Sequence, residues 1–239
     1  MRIGATVLLS EQQCVQSYEW NRVRPLGSLQ GVLDSLEEYH CDEVTIIRPV
    51  RHDDTLLQFQ QDIEVITALK TMTPISFGGG IRSVEHLKLF KDLPIERLVF
   101  SSAFLEKNRN LIVMANELFG RQAIQCLLPV AYRGSDVVVY HCSQRRFIPF
   151  SEIDIEFIDE LANEVVLFDI LHEGSRDKFD WALLEGVPFP FGKLIISGGV
   201  GEKTLHIARQ KNLASVLIDN KVLHQEYSIS GYKHATVLS

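Results

Sequence analysis

Apolar runs of strand length alternate along this chain with amphipathic runs of helix length. Strands are predicted at Arg2–Leu9, Glu43–Ile47, Ile75–Phe77, Arg97–Phe100, Ala123–Leu128, Glu164–Phe168, Leu194–Ser197 and Ser215–Ile218. They show little polar alternation, as expected of strands buried on both faces in a parallel sheet. Helices are predicted near Leu29–Tyr39, Leu57–Thr71, Val84–Lys91, Asn110–Phe119, Glu152–Asn163, Lys178–Glu185 and Lys203–Lys211. Eight strands with a helix after at least seven of them, within 239 residues, predict one α/β domain, a (β/α)8 TIM barrel spanning 1–239. Val137–Tyr140 and Arg146–Pro149 read as a small hairpin inserted after the fifth strand. Beyond the eighth strand, Ser228–Tyr232 predicts a closing helix that is short or absent.

An internal repeat supports the barrel. Asp42-Glu43-Val44-Thr45-Ile46-Ile47 is echoed by Asn163-Glu164-Val165-Val166-Leu167-Phe168, and Gly79-Gly80-Ile81 by Gly198-Gly199-Val200 at nearly the same offset. Two half-barrels have this four-strand periodicity, and a doubly wound sheet does not. In each half a strand runs into glycines and then a helix, at Ile75–Arg82 and again at Leu194–Gly201. Bare backbone N–H groups at such a turn can close around an anion.

Composition narrows the functional classes. A net charge of −7 argues against general nucleic-acid binding. No run approaches the roughly 20 apolar residues of a membrane span, and Met1–Ser10 reads as a buried strand rather than a signal peptide. Cys14, Cys41, Cys126 and Cys142 are scattered without metal-ligand spacing, so a reduced cytoplasmic protein without metal or cofactor is expected.

Several spaced motifs occur together and in order. Phe77-Gly78-Gly79-Gly80-Ile81-Arg82 is followed by Val99-Phe100-Ser101-Ser102-Ala103 with Glu106. Phe119-Gly120-Arg121-Gln122-Ala123 and Ile196-Ser197-Gly198-Gly199-Val200-Gly201 come after. In this combination the chain resembles the cyclase subunit of imidazole glycerol phosphate synthase, from the first strand to the eighth. The resemblance implies a half-barrel repeat with phosphates at its glycine turns. It also implies a glutaminase partner on the N-terminal face, whose ammonia is used at the opposite face. The implied phosphate sites are Gly79, Gly80, Ser101 and Ser102 in the first half, and Gly174, Ser175, Gly198 and Gly199 in the second. Where the family has a small residue and a serine at the end of the eighth strand, this chain has Asp219-Asn220, a carboxylate that would repel a bound dianion.

The catalytic pattern of that family is missing. Its cyclisation needs carboxylates ending the first and fifth strands as general acid and base. Leu8 and Pro129 occupy those places, Arg48 replaces an acid ending the second strand, and Gln16 stands where the first loop carries a lysine. The remaining acidic candidates are Glu11, Asp169 and Glu173, the last beside His172.

The opposite face keeps the family's charges. A ring of four side chains gates ammonia there, and the corresponding residues are Arg2, Glu43, Arg97 and Glu164, with Glu96 just outside. Arg2, Gly4, Thr6 and Leu8 share one strand face, so Arg2 points inward if Leu8 does. The expectation is a diverged paralogue of the kind found in bacterial surface-polysaccharide loci. It would channel ammonia from a glutaminase toward a sugar amidotransferase that forms acetamidino groups. The alternatives are a cyclase of histidine biosynthesis using displaced carboxylates and a non-enzymatic activator or scaffold of a glutaminase. A phosphorylated or anionic small molecule is the expected ligand.

Overall fold

A computed structural model describes residues 1–18, 22–50, 54–219, 223 and 229–235, so Asn220 and Ser228 lie outside the described residues. β1 (Arg2–Ser10) runs into a hairpin of β2 (Gln13–Tyr18) and β3 (Arg22–Gly27). Then follow β4 (Val44–Ile47), β5 (Ile75–Gly78), β6 (Arg97–Phe100), β7 (Ile124–Arg133), β8 (Asp136–His141), β9 (Arg146–Pro149), β10 (Glu164–Asp169), β11 (Leu194–Ser197) and β12 (Ser215–Ile218). Eight of these, β1, β4, β5, β6, β7, β10, β11 and β12, pair in parallel in that order. The pairing of β7 with β10, from Gln125↔Glu164 to Val130↔Asp169, closes the circle. The fold is the predicted (β/α)8 barrel.

The helices are α1 (Leu29–Glu38), α2 (Leu56–Thr67), α3 (Val84–Lys88), α4 (Ser102–Leu105), α5 (Arg109–Phe119), α6 (Ile155–Leu161), α7 (Glu202–Gln210) and α8 (Ile229–Ala235). Local chemistry starts them. Ser28 accepts from the Gly31 N–H, and Thr55 and Gln58 form a reciprocal capping box. Each longer helix buries one stripe, such as Leu29, Val32, Leu33 and Leu36 of α1.

Alternation along β1 divides the core in two. Ile3, Ala5, Val7 and Leu9 pack outward among the helices, while Val166, Ile195 and Leu217 form a separate cluster inside the barrel. The half-barrel repeat is visible in the backbone. Gly79 and Gly80 have φ of 97° and 86°, and Gly198 and Gly199 have 85° and 73°. A Cβ on Gly79 would lie 2.0 Å from the Arg48 carbonyl oxygen, and one on Gly198 2.2 Å from that of Asp169. Only glycine fits either place.

Three regions differ from the prediction. Lys178–Glu185 is not an α-helix, and only Trp181–Leu184 winds, as a 3-10 turn begun by Asp180 accepting from the Ala182 N–H at 3.1 Å. Pro188 and Pro190 follow closely and prevent a longer helix. The first loop is the β2–β3 hairpin, continuous with β1 through Leu8↔Val15. The predicted hairpin after the fifth strand is present as the antiparallel β8–β9 pair and is extended, because β7 itself reaches Arg133 and pairs with β8. The closing helix is short, at Ile229–Ala235.

Candidate functional site

Strand starts converge at the N-terminal mouth. The Glu43 carboxylate, 1% exposed, accepts from Arg2 Nε at 3.0 Å and Arg97 Nη1 at 3.5 Å. Its second oxygen accepts from the Ser215 hydroxyl. Arg2 Nη2 donates to Glu164 at 2.6 Å, and Gln125 donates to the other Glu164 oxygen at 2.9 Å. All four residues that the resemblance singles out therefore sit in one network, extended by Gln125 and Ser215. Burial opposes the Arg2 charge, but Glu43 and Glu164 outweigh it and raise its pKa. Two arginines facing two glutamates make a neutral cluster, which tolerates burial far better than any single charge. Gly4 lies next along β1, and a Cβ there would meet the Glu43 backbone oxygen at 2.6 Å and Leu217 at 2.8 Å.

The opposite mouth holds a cavity of about 120 Å³. Leu8, Ile47, Leu127, Pro129 and Phe168 make its wall apolar, and Thr6, Thr45 and Ser197 lie deeper. Thr6 and Ser197 share a hydrogen bond of 3.3 Å. Gly79, Gly80, Ser101 and Ser102 line one side together with Arg82. The Ser101 hydroxyl is buried and has no partner among the described residues.

The second glycine turn has different surroundings. The Gly174 N–H donates to Asp219 Oδ2 at 2.8 Å, and the Ser175 N–H to the His172 carbonyl at 3.0 Å. The Gly199 carbonyl accepts from the N–H groups of Lys178 and Phe179 at 2.9 and 3.1 Å.

The family model for the histidine biosynthesis protein matches residues 2–228. The chain belongs to this histidine biosynthesis family. Among similar proteins is one provisionally named imidazole glycerol phosphate synthase subunit hisF2, from Campylobacter jejuni. It is 28% identical over 207 residues, covering 84% of this chain and 80% of the relative. Imidazole glycerol phosphate synthase subunit HisF of an Exiguobacterium species is 23% identical over 238 residues, covering 94% and 91%. A further relative from Vibrio vulnificus, provisionally named subunit hisF3, is 27% identical over 188 residues, covering 75% and 70%.

Within this histidine biosynthesis family fold, the acidic candidates lie apart. Asp169 is 1% exposed and is absent from the cavity lining. It accepts from the N–H groups of Leu171 and Asp180 at 3.2 and 2.9 Å and bonds His172 Nδ1 at 2.6 Å. That set of contacts builds the loop after β10 and takes His172 as a partner of Asp169. Glu11 is exposed at the β1–β2 turn with φ of 49°, beside Gln12 and outside the mouth cavity. Glu173 alone lines the cavity, and it accepts from Ser17 Oγ at 3.0 Å, which fastens the β2–β3 hairpin over the barrel.

Arg48 reveals a cluster that the sequence reading did not foresee. It is 5% exposed and forms a bidentate pair with Asp54 at 2.8 and 3.0 Å, while Nε meets Asp62 at 2.7 Å. Its guanidinium also stacks 4.9 Å from the Phe59 ring centre. Burial opposes its charge, and the bonds to Asp54 and Asp62 outweigh burial and raise its pKa. The position that the resemblance assigns to an acid thus carries a compensated cation. Asp62 shares the buried face of α2 with Phe59, Ile63 and Ile66, a periodicity that could have flagged it. Among the described residues no group of three or more His, Cys, Asp or Glu is placed to hold a metal ion.

Proposed function

We propose that this HisF-like barrel receives ammonia from a glutaminase docked on its N-terminal mouth and delivers it at the C-terminal mouth without cyclising a histidine precursor. The observation that carries this is the pairing of a complete charged network at one mouth with an apolar wall at the other. Leu8 and Pro129 both line the cavity, and neither can hold or move a proton. Glu173 is one carboxylate where acid and base would need two, and Ser17 already engages it.

The exposed apolar side chains support the partner. Met1, Met72, Leu118 and Phe191 are exposed and lie before β1, β5, β7 and β11, so all four surround the N-terminal mouth. Exposed apolar groups around a charged centre suit a protein interface. Ammonia is small and neutral, so the axis past Thr6, Thr45, Ser76 and Ser197 would suit it, with hydroxyls to exchange for water. The delivered nitrogen would serve an amidotransferase making acetamidino sugars for surface polysaccharide.

The test has two arms. Supplied with ammonium salt and the ribonucleotide substrate of imidazole glycerol phosphate synthase, the chain should give no turnover. Turnover that Glu173→Gln abolishes would make it a cyclase. On mixing with a glutaminase that co-purifies with it, glutamine hydrolysis should rise without ammonia reaching bulk solution. A rise with full release to bulk would leave a scaffold or activator instead.

A further inference from the structure

The β2–β3 hairpin closes a small space against the barrel rim. Gln16 and Ser17 of the hairpin face Thr6 of β1, Glu173 after β10 and Asp219 after β12 across about 20 Å³, with apolar side chains around them. One water-sized particle needs about 10–15 Å³, so this space takes one and not two. It adjoins the mouth cavity, since Thr6, Leu8, Phe168 and Glu173 line both.

Every polar side chain on this space can accept a hydrogen bond, and two of the five are carboxylates. Ser17 Oγ donates to Glu173 Oε2 at 3.0 Å, so its oxygen faces a further donor as an acceptor. Asp219 Oδ2 accepts from the Gly174 N–H at 2.8 Å, and a carboxylate has room for about four such bonds. Gln16 is 7% exposed, and its side-chain amide forms no hydrogen bond among the described residues. A buried amide in that condition is costly, which points to a ligand as its partner. Among the described residues no lysine, arginine or histidine lines the space, and Arg24, paired with Gln16 across the hairpin, is exposed. Gln16 also stands where the resemblance places a lysine, so a neutral amide replaces a side chain that would bring its own ammonium group.

We propose that this space is a site for one ammonium ion, held between the hairpin and the rim. The ion has four N–H donors and no acceptor, and it meets oxygens of Thr6, Gln16, Ser17, Glu173 and Asp219. The carboxylates disfavour an anion there, and the volume excludes a larger amine. Because its acceptors come from the hairpin and from three other segments, the bound ion fastens the hairpin over the mouth. The site rests on this geometry, and the choice of ammonium over potassium rests on the reading that ammonia reaches this mouth.

Hydrogen exchange of the whole chain at pH 7 tests this, in ammonium, potassium or tetramethylammonium chloride at equal ionic strength. A ligand of one heavy atom should half-saturate the site near about 100 mM. Mass action then slows opening of the hairpin about sixfold at about 0.5 M ammonium. Peptides covering β2 and β3 should show that slowing relative to tetramethylammonium, which is too large to enter, while α5 stays unchanged. Gln16→Leu keeps the burial and removes one oxygen, and Glu173→Gln keeps the shape and removes a charge. Each should bring the slowing below about twofold. If a variant does not fold, the three salts on the wild type still decide. Equal exchange in ammonium and tetramethylammonium, or slowing that survives both substitutions, would overturn the site. Equal slowing by potassium would overturn its assignment to ammonium. Slowing by ammonium in a chain that releases all glutaminase-derived ammonia to bulk would uphold the site and overturn delivery.

Discussion

Replacing Glu43 by glutamine measures what the N-terminal network contributes. The substitution keeps the shape and one carbonyl oxygen but leaves Arg2 Nε, at 3.0 Å, and Arg97 Nη1, at 3.5 Å, without their carboxylate. At an effective dielectric of about 20, a pair 3 Å apart attracts by about 5 kcal/mol before desolvation is counted. Removing one partner of a buried pair costs about 3–5 kcal/mol. Here the Arg2 and Arg97 side chains are 34% and 21% exposed, so water recovers part of their solvation. The expected loss is therefore about 2–3 kcal/mol, or about 5–10 °C in melting temperature for a domain of this size. Arg97→Met should cost less than about 1 kcal/mol, because its contact is long, its side chain is partly open to water and Glu43 keeps Arg2. Urea denaturation at pH 7 reads both, and a cycle of Glu43→Gln with Arg2→Met should show coupling of about 1 kcal/mol or more. A Glu43→Gln protein within about 0.5 kcal/mol of wild type would refute the network as a stabilising unit.

Three further outcomes are expected. Burial pushes the imidazoles of His86 and His141 below their ordinary value, so the unfolded chain binds protons more readily than the fold does. Their contribution is complete above about pH 6.5 and is lost as pH falls through the folded-state values, so the urea midpoint should begin to drop below about pH 6.5. His141→Gln should shrink that drop, and a midpoint that first moves near pH 4.5 would assign it to carboxylates alone. Arg48→Leu should destabilise by about 3 kcal/mol by leaving Asp54 and Asp62 unpaired, and Arg48→Lys should not restore the bidentate pair; a Lys variant as stable as wild type would refute this geometry. Burial pushes the Cys14 and Cys41 thiols up to about 12 and raises Cys126 as well. Iodoacetamide at about pH 8 should therefore modify Cys142 alone in the native protein and all four cysteines in urea, as mass spectrometry would show.

Periodicity located the barrel because both sheet faces are covered, and runs such as Val44–Ile47 and Leu194–Ser197 bury every residue or nearly so. The resemblance singled out Arg2, Glu43, Arg97 and Glu164, strand parity turned Arg2 and Arg97 inward, and their contacts follow from a shared level at the strand starts. The β2–β3 hairpin escaped notice because a register shift between Cys14 and Val15 breaks the period of two. The Arg48 cluster was hidden for another reason. Its partners lie on the following loop and on α2, and no local pattern joins an arginine to acids at positions 54 and 62. Asp169 shows the limit of reading an acid by its place at a strand end, because its parity turns it outward to backbone donors rather than toward the cavity.

The charged departures at the C-terminal mouth have partners. Arg48 would be costly alone in a site 5% exposed, and two carboxylates and a ring face meet it. Asp219 would repel an anion, and it stands as the acceptor an anion would have been, on the Gly174 N–H. Leu8 and Pro129, which replace acids, join Ile47, Leu127 and Phe168 in one apolar wall. Erosion of a disused site would leave unpaired charges and a poorly lined cavity, each with its own free-energy cost. The mouth instead has a compensated cation on one side, Asp219 on the Gly174 N–H on the other and an apolar space between them. Such a space can admit a neutral molecule, and among the described residues it lacks the opposed acid and base that cyclisation would need. The N-terminal network is built on the same strands with its four charges mutually paired. The proposed supply of ammonia at one mouth is therefore compatible with the loss of the cyclisation pattern at the other.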